Sequence, residues 1–195
     1  MIVITNPSAI ENEISIIDSL FEEGLSLLHV RKPDFSEIEM VKFIKQIKPE
    51  YRSKLTLHSH HQLAEDLGIN RIHFSEKDRK NNFLINPDQK IFSTSTHSIE
   101  DFNVLENFDY AFLSPVFTSI SKEDYHPKEN LFEALKSRTN NKTKVIALGG
   151  IDSENIKKTL ENSFDDVALL GTIWNHKNPI KQFKLCQEIA LSHSL

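Results

Sequence analysis

A chain of 195 residues has the length of one domain and can bury a substantial core. Hydrophobic content of 38% and charged content of 26% exclude a disordered chain, and a net charge of −5 gives no sign of a nucleic-acid surface. No apolar run approaches membrane-spanning length, so no membrane partner is expected. The amino terminus, Met-Ile-Val-Ile-Thr, reads as a strand without the basic region of a secretory leader, and the expected setting is the cytoplasm. Cys186, the one cysteine, falls in an amphipathic helical pattern as a small buried side chain.

Short apolar runs alternate with helical patterns along the whole chain, as a parallel sheet requires. Strand one covers Ile2–Thr5; its helix starts near Ser8, carries Ile10, Ile14, Ile17 and Leu20 on one face, and stops at Gly24. Strand two covers Leu27–Arg31, with a helix over Phe35–Ile47 and a break at Pro49. Strand three covers Leu55–His58, followed by a short helix ending at Gly68. Strand four, Arg71–Phe74, leads into a polar, irregular stretch as far as Gln89. Strand five covers Ile91–Thr94 with a helix over Ile99–Asn107, and strand six covers Tyr110–Leu113 with a long loop and a helix over Asn130–Ser137. Strand seven lies in Val145–Ile151 and strand eight in Asp166–Leu170, with helices over Ser153–Asn162 and Pro179–Ser192. Eight βα units of roughly 24 residues describe a single-domain (β/α)8 TIM barrel near its compact limit. A doubly wound open sheet would want a glycine-rich loop after strand one, where this chain has Asn6-Pro7-Ser8.

Function in such a barrel sits where strands end. The run Val145-Ile-Ala-Leu-Gly-Gly-Ile151 ends in two consecutive glycines of the five in the chain, and strand eight ends at Gly171. Glycines admit close backbone approach, and loops seven and eight of this barrel hold phosphates, so Gly149, Gly150, Leu170 and Gly171 read as a phosphate cup. Strand two ends in His29-Val30-Arg31-Lys32-Pro33, and alternation places His29 and Arg31 on one side with Lys32 opposite. His58 and His60 end strand three, Ser95 and His97 end strand five, and Ser114 to Lys122 follow strand six. The histidine spacing matches no standard zinc pattern, although histidines from separate strands can converge.

These segments resemble the thiamine phosphate synthase/TenI family over nearly the whole chain. Leu28-His29-Val30-Arg31-Lys32 is similar to the family's Leu-Gln-x-Arg-Glu-Lys, and Leu57-His58-Ser59-His60 stands at its Asn-Asp motif. Ile72-His73-Phe74-Ser75-Glu76-Lys77-Asp78 resembles Val-His-Leu-Gly-Gln-x-Asp, and Ser95-Thr96-His97 resembles Ser-x-His. Ser114 to Lys122 is similar to Gly-Pro-Val-Phe-Pro-Thr-x-Thr-Lys, and Ala147-Leu148-Gly149-Gly150-Ile151 to Ala-Ile-Gly-Gly-Ile.

The resemblance implies a reaction that joins a pyrimidine methyl diphosphate to a thiazole phosphate and releases diphosphate. It implies that Arg31 and Lys122 grip the diphosphate with His29, His58 and Ser95 around it, that His97 lies with the substrate, and that Ser119 and Ser121 stand near the thiazole phosphate. A homodimer and a Mg²⁺ ion are implied as well. Of the magnesium carboxylates only Asp78 remains, because the other position is Ser59. A thiazole tautomerase and a non-catalytic thiazole-phosphate binder share the same cup; the tautomerase's catalytic histidine falls on Pro115 here.

Overall fold

Short segments of three to six residues become strands, and in the computed structural model they close a parallel barrel in sequence order. The structure describes residues 1–80, 90–118, 127 and 129–193. The strands are β1 (Ile2–Ile4), β2 (Leu27–Val30), β3 (Leu55–Leu57), β4 (Arg71–Phe74), β5 (Ile91–Thr96), β6 (Tyr110–Leu113), β7 (Lys144–Ala147) and β8 (Asp166–Leu169). The seam closes where Ile2 and Val3 face Ala168 and Leu169. The helices are α1 (Glu13–Glu22), α2 (Glu37–Gln46), α3 (Glu76–Lys80), α4 (Ile99–Asn103), α5 (Leu131–Ala134), α6 (Ile156–Glu161), α7 (Gly171–Trp174) and α8 (Pro179–His193). Among the described residues no helix is long and apolar enough to cross a membrane.

The strand order matches the expectation; the short helix expected after β3 is only the 3-10 turn His61–Leu63, α3 and α7 are additional, and the other differences lie at the ends. The apolar period of the first helix reaches back to Ile10, yet Asn12 sits at φ 59°, a left-handed backbone that bars the helix from starting before Glu13. The second helix starts at Glu37 rather than Phe35. Ser36 caps it: its hydroxyl accepts from the Glu39 N–H and the Glu39 carboxylate accepts from the Ser36 N–H. β5 runs two residues further than its apolar run, because Thr94 and Thr96 donate their hydroxyls to the carbonyls of Phe74 and Phe112 on the flanking strands. The irregular stretch after β4 begins as α3, started by Ser75, whose hydroxyl accepts from the Asp78 N–H. Residues 81–89 of that stretch lie outside the described residues.

Two cores follow from alternation. Outward-facing strand residues pack with the helices in a large cluster that includes Val3, Leu28, Leu57, Leu113, Val145 and Val167. Cys186 is buried in that cluster, and burial pushes its thiol up to about 12, so it packs as an inert side chain. Inside the barrel, β1 and β6 to β8 contribute Ile2, Ile4, Tyr110, Phe112, Ile146 and Ala168. The opposite wall is polar: His29, Thr56, His73 and Ser93 are all buried there.

Lys32 leaves the strand end on the outer side, as alternation requires. Its ammonium is buried and bonds both Glu13 carboxylate oxygens, at 2.8 and 2.6 Å, and the Ser8 carbonyl at 3.0 Å. It also lies 5.0 Å from the Phe43 ring centre. Burial alone pushes Glu13 up and Lys32 down, and the short two-oxygen contact opposes both shifts. Lys32→Met should therefore cost about 3–5 kcal/mol by leaving the Glu13 charge buried alone, and adding Glu13→Leu should return most of that loss. Urea unfolding of the two single variants and the double variant measures it; additive losses would exclude the coupling.

Candidate active site

All eight strands point their C-terminal ends at one cavity of about 680 Å³. Arg31 and Pro33 line it after β2, His58 and Ser59 after β3, Ser75 and Glu76 after β4, and Ser95 and His97 from β5 and beyond. Ser114, Leu148 to Ile151 and Leu170 to Thr172 line the other side. Arg31 stands one residue past the end of β2, where chain alternation still turns it inward. Among the described residues its guanidinium makes no hydrogen bond or ion pair.

The polar wall forms the floor. His29 Nδ1 lies 2.8 Å from His58 Nε2, and His29 Nε2 lies 2.7 Å from the Tyr110 hydroxyl. His73 Nδ1 meets Ser93 Oγ at 2.9 Å, and its Nε2 meets Ser95 Oγ at 3.0 Å. The His58 and His73 rings stack 4.1 Å apart. A neutral imidazole donates at one nitrogen and accepts at the other, and a hydroxyl oxygen can do both, so these contacts need no charged group. Burial is the main reason that all three imidazoles are hard to protonate. His73 is lowered to about 3, and His29 and His58 lie well below their ordinary value, with mutual repulsion adding to the effect. His58 therefore touches the cavity as a neutral donor or acceptor, not as a cation. Burial in turn raises the Tyr110 phenol.

The glycine pair has a cause in packing, apart from the ligand approach expected from the sequence. Gly149 and Gly150 both adopt positive φ, 97° and 65°. A Cβ on Gly149 would meet Pro115 Cβ at 2.7 Å, and one on Gly150 would strike the Thr118 carbonyl and meet Phe117 Cβ at 2.7 Å. The segment after β6 docks here through the Val116 N–H on the Leu148 carbonyl and the Phe117 N–H on the Gly149 carbonyl, each at 3.0 Å. The backbone N–H groups of Gly149, Gly150, Ile151, Gly171 and Thr172 find no acceptor among the described residues. The Thr172 hydroxyl donates to the Ile151 carbonyl and ties the two turns together.

The structure thus brings Arg31, His58, Ser95, His97, Gly149, Gly150, Leu170 and Gly171 to one cavity, with His29 beneath them. Lys122, Ser119 and Ser121 lie outside the described residues. His97 holds the Ser114 carbonyl through Nδ1 at 2.8 Å and turns Nε2 toward Glu76 at 3.7 Å. His60 faces away, bonded to the Phe35 carbonyl. Asp78 is not among the lining residues; its carboxylate accepts from Ser75 Oγ at 2.6 Å. Ser59 Oγ is buried without a partner among the described residues, and the Glu76 carboxylate is engaged by Lys80. These donors do not make the two-carboxylate Mg²⁺ site that the resemblance implies, since a neutral hydroxyl and one rim aspartate replace it. His73, Ser93 and Tyr110 form the cavity floor, and no role for them was read from the sequence, although His73 stands in the strand-four motif. The available signal was a polar side chain at an inward position of an otherwise apolar strand, as in Ile72-His73-Phe74.

Fold and site define the class: a (β/α)8 barrel with its working cavity at the C-terminal ends of the strands. Residues 1–173 match the family model described as thiamine monophosphate synthase, and the chain belongs to that family. A thiamine-phosphate synthase from Clostridium tetani is 28% identical over 89% of this chain and 85% of its own. One from Caldicellulosiruptor saccharolyticus is 26% identical over 83% and 76%. The solved structure of a thiamine phosphate pyrophosphorylase from Bacteroides thetaiotaomicron superposes with a TM-score of 0.77 at 28% identity, covering 97% of this chain and 96% of its own.

Two outcomes follow from the geometry. Gly150→Ala should destabilise the protein measurably in thermal unfolding, by forcing positive φ and displacing the segment after β6, so loss of ligand affinity and loss of stability should appear together; unchanged stability would refute the packing role. The buried imidazoles set a pH dependence. Their folded-state pKa values lie below the unfolded value of about 6.5, so the unfolded chain binds more protons below that pH. Stability should be full above pH 6.5 and fall as pH drops toward about 3 for His73, by up to about 1.4 kcal/mol per pH unit per imidazole. Chemical denaturation of chelator-treated protein across that range checks it, and a flat profile would contradict neutral burial.

Proposed function

We propose that the chain is a thiamine phosphate synthase, joining hydroxymethylpyrimidine diphosphate to thiazole phosphate with release of diphosphate. One observation carries the reading. The same cavity holds a cation, Arg31, and two glycine turns whose N–H groups, all without a partner among the described residues, suit two phosphorylated substrates held side by side.

In this reading the amides of Gly149 to Ile151 and of Gly171 and Thr172 hold the thiazole phosphate. Arg31, with Lys122 from the segment after β6, takes the diphosphate. The methylene–oxygen bond breaks with both electrons leaving on the diphosphate, and the pyrimidine carries the cation. The thiazole nitrogen then donates its lone pair to the methylene carbon, and a thiazolium forms. No protein nucleophile is needed; positioning and charge stabilisation do the work. Ser95 and the neutral His58 stand on the floor where a flat heterocycle would rest, offering hydrogen bonds without a competing positive charge.

The test is direct: purified protein with both substrates, with and without Mg²⁺, and thiamine phosphate measured by mass spectrometry. Product is expected. Thiazole phosphate binding with no product under either condition would overturn the synthase reading. Arg31→Ala should weaken diphosphate binding about ten- to a hundred-fold, the worth of a charged hydrogen bond, and leave thiazole phosphate affinity nearly unchanged in calorimetric titration.

A further inference from the structure

Three imidazoles converge below the cavity from adjacent strands: His29 on β2, His58 just past β3 and His73 on β4. One ring nitrogen of each lies within 4.8 Å of the other two. Metal–imidazole bonds of about 2.0–2.1 Å place tetrahedral ligand nitrogens roughly 3.4 Å apart, which falls inside that window. We propose that His29, His58 and His73 bind one divalent transition-metal ion at the floor of the cavity, with an open coordination position facing the cavity.

The surroundings supply what such a site needs. His29 turns Nε2 to the Tyr110 hydroxyl at 2.7 Å, and His73 turns Nδ1 to Ser93 Oγ at 2.9 Å. Those outer contacts orient the rings and fix the tautomer that leaves His29 Nδ1 and His73 Nε2 for the ion. The Tyr110 hydroxyl then donates a hydrogen bond to Thr56 Oγ1, 3.4 Å away. Two of the three histidines, His58 and His73, also line the cavity, so a fourth ligand can arrive from that side. Three imidazoles without a carboxylate select zinc, cobalt, nickel or copper over magnesium or calcium. On binding, the 2.8 Å contact between His29 and His58 is exchanged for two metal–nitrogen bonds, Ser95 Oγ releases His73 Nε2, and the stacked pair His58/His73 opens by side-chain rotation. The open position would take a water or the lone pair of a ring nitrogen.

The proposal is independent of the synthase reading: product formation tests that one and metal uptake tests this one. Untagged, chelator-treated full-length protein is titrated with Co²⁺, following visible absorption, with bound metal counted after equilibrium dialysis. The expected result is one equivalent of Co²⁺ with the intense bands of a low-coordinate, nitrogen-ligated ion. His58→Asn and His29→Gln, which keep a hydrogen-bonding side chain in place, should each weaken uptake at least tenfold, while His176→Asn in the exposed turn after α7 should not. Absence of stoichiometric uptake by the parent, a weak octahedral spectrum, or full uptake by both floor variants would overturn it.

Discussion

The interior of this barrel obeys one constraint before all others: a polar group removed from water must find a partner inside the protein. Four successive strands, β2 to β5, turn polar side chains inward, and the opposite arc turns apolar ones. His29 at the centre is wholly buried, and only its contacts with His58 and Tyr110 make that position tolerable. The wall is therefore cooperative. Removing one member strands its neighbours, which ties the shape of the cavity floor to the integrity of the set.

On the other side of the cavity the constraint is space. The turn after β7 and the segment after β6 approach so closely that neither glycine has room for a methyl group. Glycine there admits a neighbouring backbone, and its amides find no acceptor among the described residues. That close contact accounts for two adjacent glycines in a chain that contains only five.

Much of this was legible in the sequence, and the pattern of what was not has physical reasons. Strand order, the barrel, the inward turn of Arg31 and the outward turn of Lys32 follow from alternation, which depends on local geometry alone. Helix starts shifted at Asn12 and Ser36, where one dihedral angle or one cap decides and apolar periodicity is silent. The His58 charge state was not legible: spacing along the chain does not show the burial beside two other imidazoles that disfavours its cation. Tyr110 and Ser93 escaped notice because their role exists only in the register β4–β5–β6, which sets Ser93 beside both His73 and Tyr110. The glycine pair was legible as a site feature, while its packing against Phe117 and Thr118 was not, since that contact spans two units of the barrel.

The contact between Lys32 and Glu13 reaches beyond stability. Lys32 follows Arg31 directly, and its ammonium is fastened to a helix lying outside the barrel. The chain at the end of β2 is thus held from behind, and its hold bears on which way the Arg31 guanidinium points. If α1 peeled away locally, eight closed strands would remain, with a cavity of nearly the same outline and a wandering arginine. Such a molecule would pass for folded by its sheet while having lost its aim.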